Sequence, residues 1–389
     1  MSNRQTYSLH QLILYFLKLG TTGFGGPVAL VGYMHKDLVE QRKWISEEEY
    51  KQGLALAQLA PGPLAAQLSI YIGFVHYRIM GATLAGLAFI IPSFIMVVIL
   101  GMMYKLYNGL FWMQAVFYGV GAAVIGIISI SSYKLTLKSI GKFNLQSFKQ
   151  NVLLWLLFIT ALLITVTTKQ EQVLVFIAAG FLYMIVKAPP QRKLNRAILL
   201  FSPFSIGFWD QGNTSLLKIA IFFAKAGAFV FGSGLAIVPF LHTGVVTENH
   251  WLTEQQFIDA VAVAMITPGP VVITVGFIGY LIAGFNGAGI AALATFLPCY
   301  LFTVIPAPYF KRIATNRSVA AFVNGITASV VGALVGAVLV MVGRTITDIP
   351  TAVIALLSVM VLLKMKKVQE PILIALAAFA GILIKLLLN

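Results

Sequence analysis

The sequence predicts an all-α, polytopic membrane protein of two homologous helical repeats, inverted relative to one another, with broken, re-entrant helix hairpins meeting near the bilayer midplane. Three observations predict it. Hydrophobic residues fill 59% of 389 positions and charged residues 10%, where a soluble domain carries about 25% charged residues. Several apolar runs approach the ~20 residues that cross a bilayer. The hydrophobic pattern then restarts after Trp209.

In chain order, short apolar units occupy 9–24, 27–40, 50–60 and 64–79, and long ones 82–105, 110–131, 151–168 and 172–187. Gly23, Gly25, Gly26 and Pro27 interrupt the first pair of units, and Pro61, Gly62 and Pro63 the second. Glycine lifts the steric limits on backbone torsions, and proline removes a donor and blocks helix continuation. A helix broken at membrane depth frees amides and carbonyls that lipid cannot satisfy, so they must face protein, water or a solute. After the basic stretch 187–196 the units recur at 216–231, 235–246, 257–267 and 271–284, then at 288–310, 318–343, 349–364 and 370–388. This divides the chain into an N-terminal repeat (1–196), a linker able to hold one extra crossing (197–215) and a C-terminal repeat (216–389).

The restart is also a repeat of residues. At a shift of 207, Lys18 meets Lys225, Gly20 meets Gly227, Gly25 meets Gly232, His35 meets His242, Trp44 meets Trp251 and Glu47 meets Glu254. Pro61, Gly62 and Pro63 meet Pro268, Gly269 and Pro270. At a shift of 206, Gly73, Gly81, Pro92, Gly119 and Gly126 meet Gly279, Gly287, Pro298, Gly325 and Gly332.

The net charge of +15 comes from 27 basic and 12 acidic residues. The basic residues sit in short connectors, around 134–149, 187–196, 311–317 and 364–367. Positive connectors stay in the cytoplasm, which puts 36–51 inside and its counterpart 242–259 outside, hence the inversion. Inversion needs one more crossing, and 197–209 is the candidate. The charge marks membrane orientation rather than nucleic-acid binding. Cys299 is the only cysteine, which rules out an internal disulfide and a thiolate cluster. The polar start and the Lys18-containing first unit, with no small-residue cleavage site, argue against a removable signal peptide.

Helix starts present unpaired N–H groups and a positive dipole end, a ready site for an anion. Helices beginning after Pro27, Pro63, Gly234 and Pro270 would aim four such ends at one place. Lys18 and Lys225, just before the glycine breaks, are cations inside membrane segments and could balance a dianion. Thr21, Thr22, Gln58, Gln67, Ser233, Thr267 and Thr274 supply hydroxyls and amides near the breaks, as donors to an oxyanion or to the broken backbone itself. Asn324 is one further polar residue in a long span. His35, Arg42, Glu47, His242 and Glu254 lie at matching membrane faces as gate or coupling residues, or as interfacial anchors. No HExxH, GxSxG or GxxxxGK occurs, so neither an enzyme nor an ATP-driven pump is expected, and no metal or cofactor is.

The segments FGGPVALVGYMHKDLVEQRKWISEEEY, LALAQLAPGPLAAQLSIYIGF and LAGLAFIIPS together resemble the chromate ion transporter family. FGSGLAIVPFLHTGVV, WLTEQQFIDAVAVAMITPGP and LATFLPC repeat the resemblance, so the chain looks like the family's two-domain, long form. The resemblance implies an inner-membrane exporter of chromate, driven by the proton-motive force and conferring resistance, with sulfate as a competing look-alike. The family's motif positions fall on Gly25, Gly26, Pro27, Arg42, Trp44, Pro61, Gly62 and Pro63, and on Gly232, Gly234, Trp251, Pro268, Gly269 and Pro270. Ser233 and Gly234 depart from the pattern where Gly26 and Pro27 stand in the first repeat. The expected partners are a small inorganic anion and the lipid bilayer of a bacterial inner membrane, without nucleic acid and with a homodimer as one option. The alternatives are a transporter of sulfate or another anion, and a passive channel or lipid scramblase.

Overall fold

The computed structural model describes residues 7–24, 26–107, 111–168, 172–189, 216–229, 234, 237–310, 316–365, 368 and 370–388. Gly25, Gly232, Ser233 and the linker 197–215 lie outside the described residues, where every regular element is a helix.

Helix α1 (Leu9–Thr22) opens on a reciprocal cap between Ser8 and Gln11, and its inner face buries Leu12, Tyr15, Phe16, Leu19 and Gly20. The chain leaves helical geometry at Gly23 and re-enters it as α2 (Gly26–Met34), whose first residue has φ +73°. A π-helical turn, His35–Gln41, continues α2. The Trp44 amide donates to the Leu38 carbonyl at 2.8 Å, and Lys43 takes φ +54°. Ser46 and Glu49 cap α3 (Glu47–Leu59), whose first turn carries three glutamates at the positive dipole end. Residues 61–63 break the helix, and α4 (Leu64–Tyr107) begins beyond them.

Helix α4 is two arms. At Arg78 (φ 52°, ψ −141°) the chain reverses, and the arms 64–77 and 79–107 run back against each other with Gly73 packed on the Gly81 backbone. A methyl group at either glycine would collide with the other's carbonyl. There follow α5 (Phe111–Ser139), the short α6 (Leu145–Gln150), α7 (Val152–Thr168) and α8 (Val173–Lys187).

The second part retraces this path. α9 (Leu216–Ala228) precedes α10 (Ile237–His242), which passes into a π-helical turn, Thr243–Glu248. There the Trp251 amide donates to the Val245 carbonyl at 2.8 Å, and His250 has φ +51°. Thr253 and Gln256 cap α11 (Glu254–Ile266). After the break at 267–270, the 3-10 turn Val271–Ile273 leads into α12 (Thr274–Val304), which reverses at Gly284 (φ 62°, ψ −149°) with Gly279 on Gly287. A 3-10 turn (Ala307–Tyr309), α13 (Arg317–Thr345), α14 (Ile349–Lys364) and α15 (Glu370–Leu388) complete the chain.

The long arm of α4 packs on both arms of α12: Thr83 shares a hydrogen bond of 2.7 Å with Tyr300 of the long arm, and Gly101 packs on the Tyr280 ring of the short arm. The outer helices are exchanged. Gly119 and Gly126 of α5 pack on Ala377 and Gly381 of α15 and on Ala355 and Ser358 of α14, whereas Gly325 and Gly332 of α13 pack on Ala179 of α8 and Phe158 of α7. Small residues at such contacts let helix backbones approach where lipid gives no hydrophobic drive. Among the described residues, five helical stretches are long and apolar enough to cross a membrane: Leu64–Tyr107, Phe111–Ser139, Val271–Tyr309, Arg317–Thr345 and Glu370–Leu387. The molecule is a multi-pass membrane protein.

Most expected units coincide with helices, and the gaps after 79 and 284 fall at the two reversals. The π-helical turns and α6 are additions. A π turn changes hydrogen-bond spacing without changing hydrophobicity, and α6, capped by Asn144, lies in a connector whose basic residues read as loop.

Candidate functional site

The broken helices end in the middle of the molecule. α1 reaches Gly20, whose carbonyl accepts from the buried Ser93 hydroxyl at 3.2 Å. Ser93 lies about 22 Å past the Arg78 reversal in an arm about 43 Å long, at 1.5 Å per residue. Three residues beyond Gly20, the Gly23 carbonyl accepts from the Gly269 amide at 2.9 Å. The FGG break of the first repeat and the PGP break of the second therefore touch backbone to backbone. Gly269 has φ +99° and presses on the Ser93 hydroxyl, leaving no room for a methyl group.

The related positions make a matching contact. Cys299 stands where Ser93 does, and its Sγ lies 3.5 Å from the Gly227 carbonyl, as Ser93 lies near Gly20. A methyl group on Gly62 (φ +146°) would come within 3.1 Å of Cys299 Cβ. Each PGP break is thus seated on a small polar side chain of a long arm from the other repeat. Gly62, Pro63, Pro268, Gly269 and Pro270 are buried, as is Gly234, which packs near Val272; Gly26, Pro27 and Pro61 are half-buried.

Gln67 is fully buried: its Nε2 donates to the Pro61 carbonyl at 2.8 Å, and its Oε1 has no partner among the described residues. The corresponding stretch of the second repeat, Val271–Thr274, holds no glutamine, so the breaks are not chemically equivalent. The hydroxyls near the breaks bond to neighbouring backbone: Thr21 to Leu17, Thr22 to Lys18, Thr267 to Val263 and Ala264, and Thr274 to Val271. Each spends its donor on local backbone, in part on carbonyls that already accept an amide, as Val263 accepts from the Thr267 amide at 3.1 Å. Lys18, Lys225 and Gln58 are exposed, Lys18 on the side of α1 away from Gly20. Asn324 is also exposed.

Away from the breaks, His35 pairs with Glu47 (2.8 Å) and Glu40 (3.1 Å), and His242 with Glu254 (2.7 Å), which also receives Arg344 (3.3 Å). The hydrogen bond from His35, and then Lys51, holds the Glu47 carboxyl below its ordinary range. Burial works against ionisation of Glu254, but its hydrogen bonds from His242 and Arg344 outweigh it and hold the carboxyl low as well. Arg42 stacks over Trp44 (4.7 Å) and Tyr15 (5.6 Å). A cavity of about 440 Å³ opens beside the Arg78 reversal, lined by Glu48, Glu49, Gln52, Tyr71 and Phe74.

The sequence reading missed Ser93 and Cys299. Their signal was positional: each follows a proline that the repeat aligns, Pro92 with Pro298. Helix starts beside these breaks present oriented amides and a positive dipole end, which can hold a small anion without a dedicated cation.

A family model described as "Chromate transporter" matches residues 10–184 and 217–382. The chain is 60% identical over 382 residues to a chromate transport protein of Cupriavidus metallidurans, covering 97% of this chain and 93% of that protein. It is 56% identical over 384 residues to a probable chromate transport protein of Synechococcus elongatus, covering 97% and 96%. A chromate transport protein of Pseudomonas aeruginosa is 29% identical over 354 residues, 85% of this chain and 80% of that one. No solved structure matches the chain.

Proposed function

Because the chain belongs to the chromate transporter family, we propose that it is a secondary transporter in a bacterial inner membrane that exports chromate, draws on the proton-motive force and so confers resistance. The observation that carries this reading is the bond from the Gly269 amide to the Gly23 carbonyl. In this reading the two interrupted helices meet at half depth, where lipid leaves broken backbone only protein, water or a solute to face. A tetrahedral dianion would sit against the helix starts that surround this contact. In this reading the departure of FGSG from FGGP, and the glutamine present in the first repeat alone, favour one break over the other as its seat.

The two repeats are inverted in this reading. Supporting it, Gly276 packs on Phe94 and Val97, and Gly101 on Tyr280, so the short arm of α12 runs from mid-depth toward the α4 end opposite Arg78. Gly284 and Arg78 then turn at opposite faces. With the basic connectors on the Arg78 face, that face is cytoplasmic, and 197–209 makes the odd crossing. Related halves that rock about a shared central site give alternating access.

The test is uptake of labelled chromate by energised everted vesicles, with sulfate and molybdate as competitors and an uncoupler as control. Saturable, uncoupler-sensitive accumulation is expected. Conduction indifferent to the uncoupler would indicate a channel, and preferential competition by sulfate would move the substrate. Replacing Pro61, Gly62 and Pro63 together by alanine should join α3 to the short arm of α4 and abolish uptake while the protein still inserts. Uptake at the parent rate would remove the broken-helix mechanism.

A further inference from the structure

Asp259, in α11, is 2% exposed. Its Oδ2 accepts from the Tyr104 hydroxyl and its Oδ1 from the Gln255 amide, each at 2.7 Å. Among the described residues no cation lies within ion-pair distance of it. Tyr104 is buried in turn, its ring edge-on to Phe117 of α5 and Phe277 of α12. The titratable and charged groups on the other elements around α11 are engaged or turned outward. His242 and Arg344 hold Glu254, Tyr118 and Lys385 meet each other and Asp348, Tyr280 packs on Gly101, Glu370 is half-buried at the start of α15 with Lys134 as its opposing charge, and Lys105 and Glu248 are exposed.

A lone acid removed from water is costly and, in a membrane protein, is a functional residue by default. The molecule holds its own control for whether the fold requires it. The repeat places Gln52 at the position of Asp259 and Phe310 at that of Tyr104. In the first repeat the acid is Glu48, exposed at the surface and bonded by Gln52. The second repeat moves the acid one turn inward, to the dry position, and adds a hydroxyl to meet it. The same fold is built without either group.

We propose that Asp259 binds the proton whose uptake is linked to anion occupancy of the neighbouring 268–270 break. The proposal rests on the reading of the breaks as the anion site. From Asp259 to Thr267, α11 advances about 12 Å. At that range and an effective dielectric of about 20, an ionised carboxylate weakens anion binding about tenfold per unit of anion charge. A proton taken from water at the Glu254 end, past the exposed Gln255, converts the carboxylate to the neutral acid and lifts that penalty. By reciprocity a bound anion strengthens proton binding to the same degree, so one proton leaves with the dianion and the membrane potential, acting on the net negative charge the pair still carries, drives the export.

The experiment is equilibrium binding of labelled chromate to the purified full chain in lipid nanodiscs, from mildly acid to mildly alkaline pH. Chromate itself titrates in this range, so parent and variant are compared at each pH and the ligand's own protonation cancels. Asp259→Asn should bind at least tenfold more tightly than the parent at alkaline pH, equal it at acid pH and lose its extra pH dependence; Asp259→Glu should retain it. If Asp259→Asn does not fold, Tyr104→Phe replaces it: with one donor to the carboxylate gone, the binding transition should move to higher pH. An Asp259→Asn profile that tracks the parent, or an unmoved transition in Tyr104→Phe, overturns the proton role alone. A folded parent that binds no chromate at any pH overturns the anion site and this inference with it.

Discussion

At Gly269 three demands meet: a left-handed φ of +99°, an amide that must reach Gly23, and contact with the Ser93 hydroxyl. Gly269→Ala should cost about 1–2 kcal/mol for the backbone and a further ~1–3 kcal/mol for overpacking. Ser93→Gly in the same chain should return the packing part and leave the backbone part, a separation readable in thermal unfolding of the detergent-solubilised protein. Full recovery would show that the torsion carries no strain. The importance of this glycine was legible in the sequence, because Pro-Gly-Pro inside an apolar run has no helical solution. Its partner was not, since a serine after a proline in a long apolar helix looks like any other. The placement of Lys18 could have been anticipated: Leu12, Phe16 and Leu19 share one helical face, and a residue at 18 falls outside it.

The reversals in α4 and α12 turn single apolar stretches into antiparallel pairs with no loop between them. Gly284 makes the turn in α12, and Arg78 makes the same turn with nearly the same torsions. An arginine there carries strain that glycine avoids. Arg78→Gly should therefore raise stability by about 1 kcal/mol, even after loss of its contact with the Phe74 ring at 5.9 Å, which contributes about 0.5 kcal/mol at an exposed site. A lowered melting temperature would show that the side chain holds the turn. Hydrophobic spacing disclosed both turns as gaps between units. It could not disclose that the flanking helices touch through Gly73 and Gly81, because a glycine pair spaced along the chain says nothing about the fold-back that brings it together.

Across the whole molecule, the outer hairpins α7–α8 and α14–α15 each cover glycine-lined backbone of the opposite repeat. A repeat in sequence predicts equivalent pieces but not which piece packs on which, so this exchange was not legible. Residues 1–196 and 197–389 produced as two polypeptides in one cell should co-purify as a complex, and each produced alone should be degraded. Stable accumulation of either alone would contradict the exchange.

The exchange also sets an order of manufacture. The backbone groove at Gly119 and Gly126 is synthesised early, yet its cover is residues 349–388, made more than two hundred residues later. Until that cover is made, the groove must be screened by lipid or by the insertion machinery. A truncation at the tail would therefore be felt first in the part of the protein made long before it.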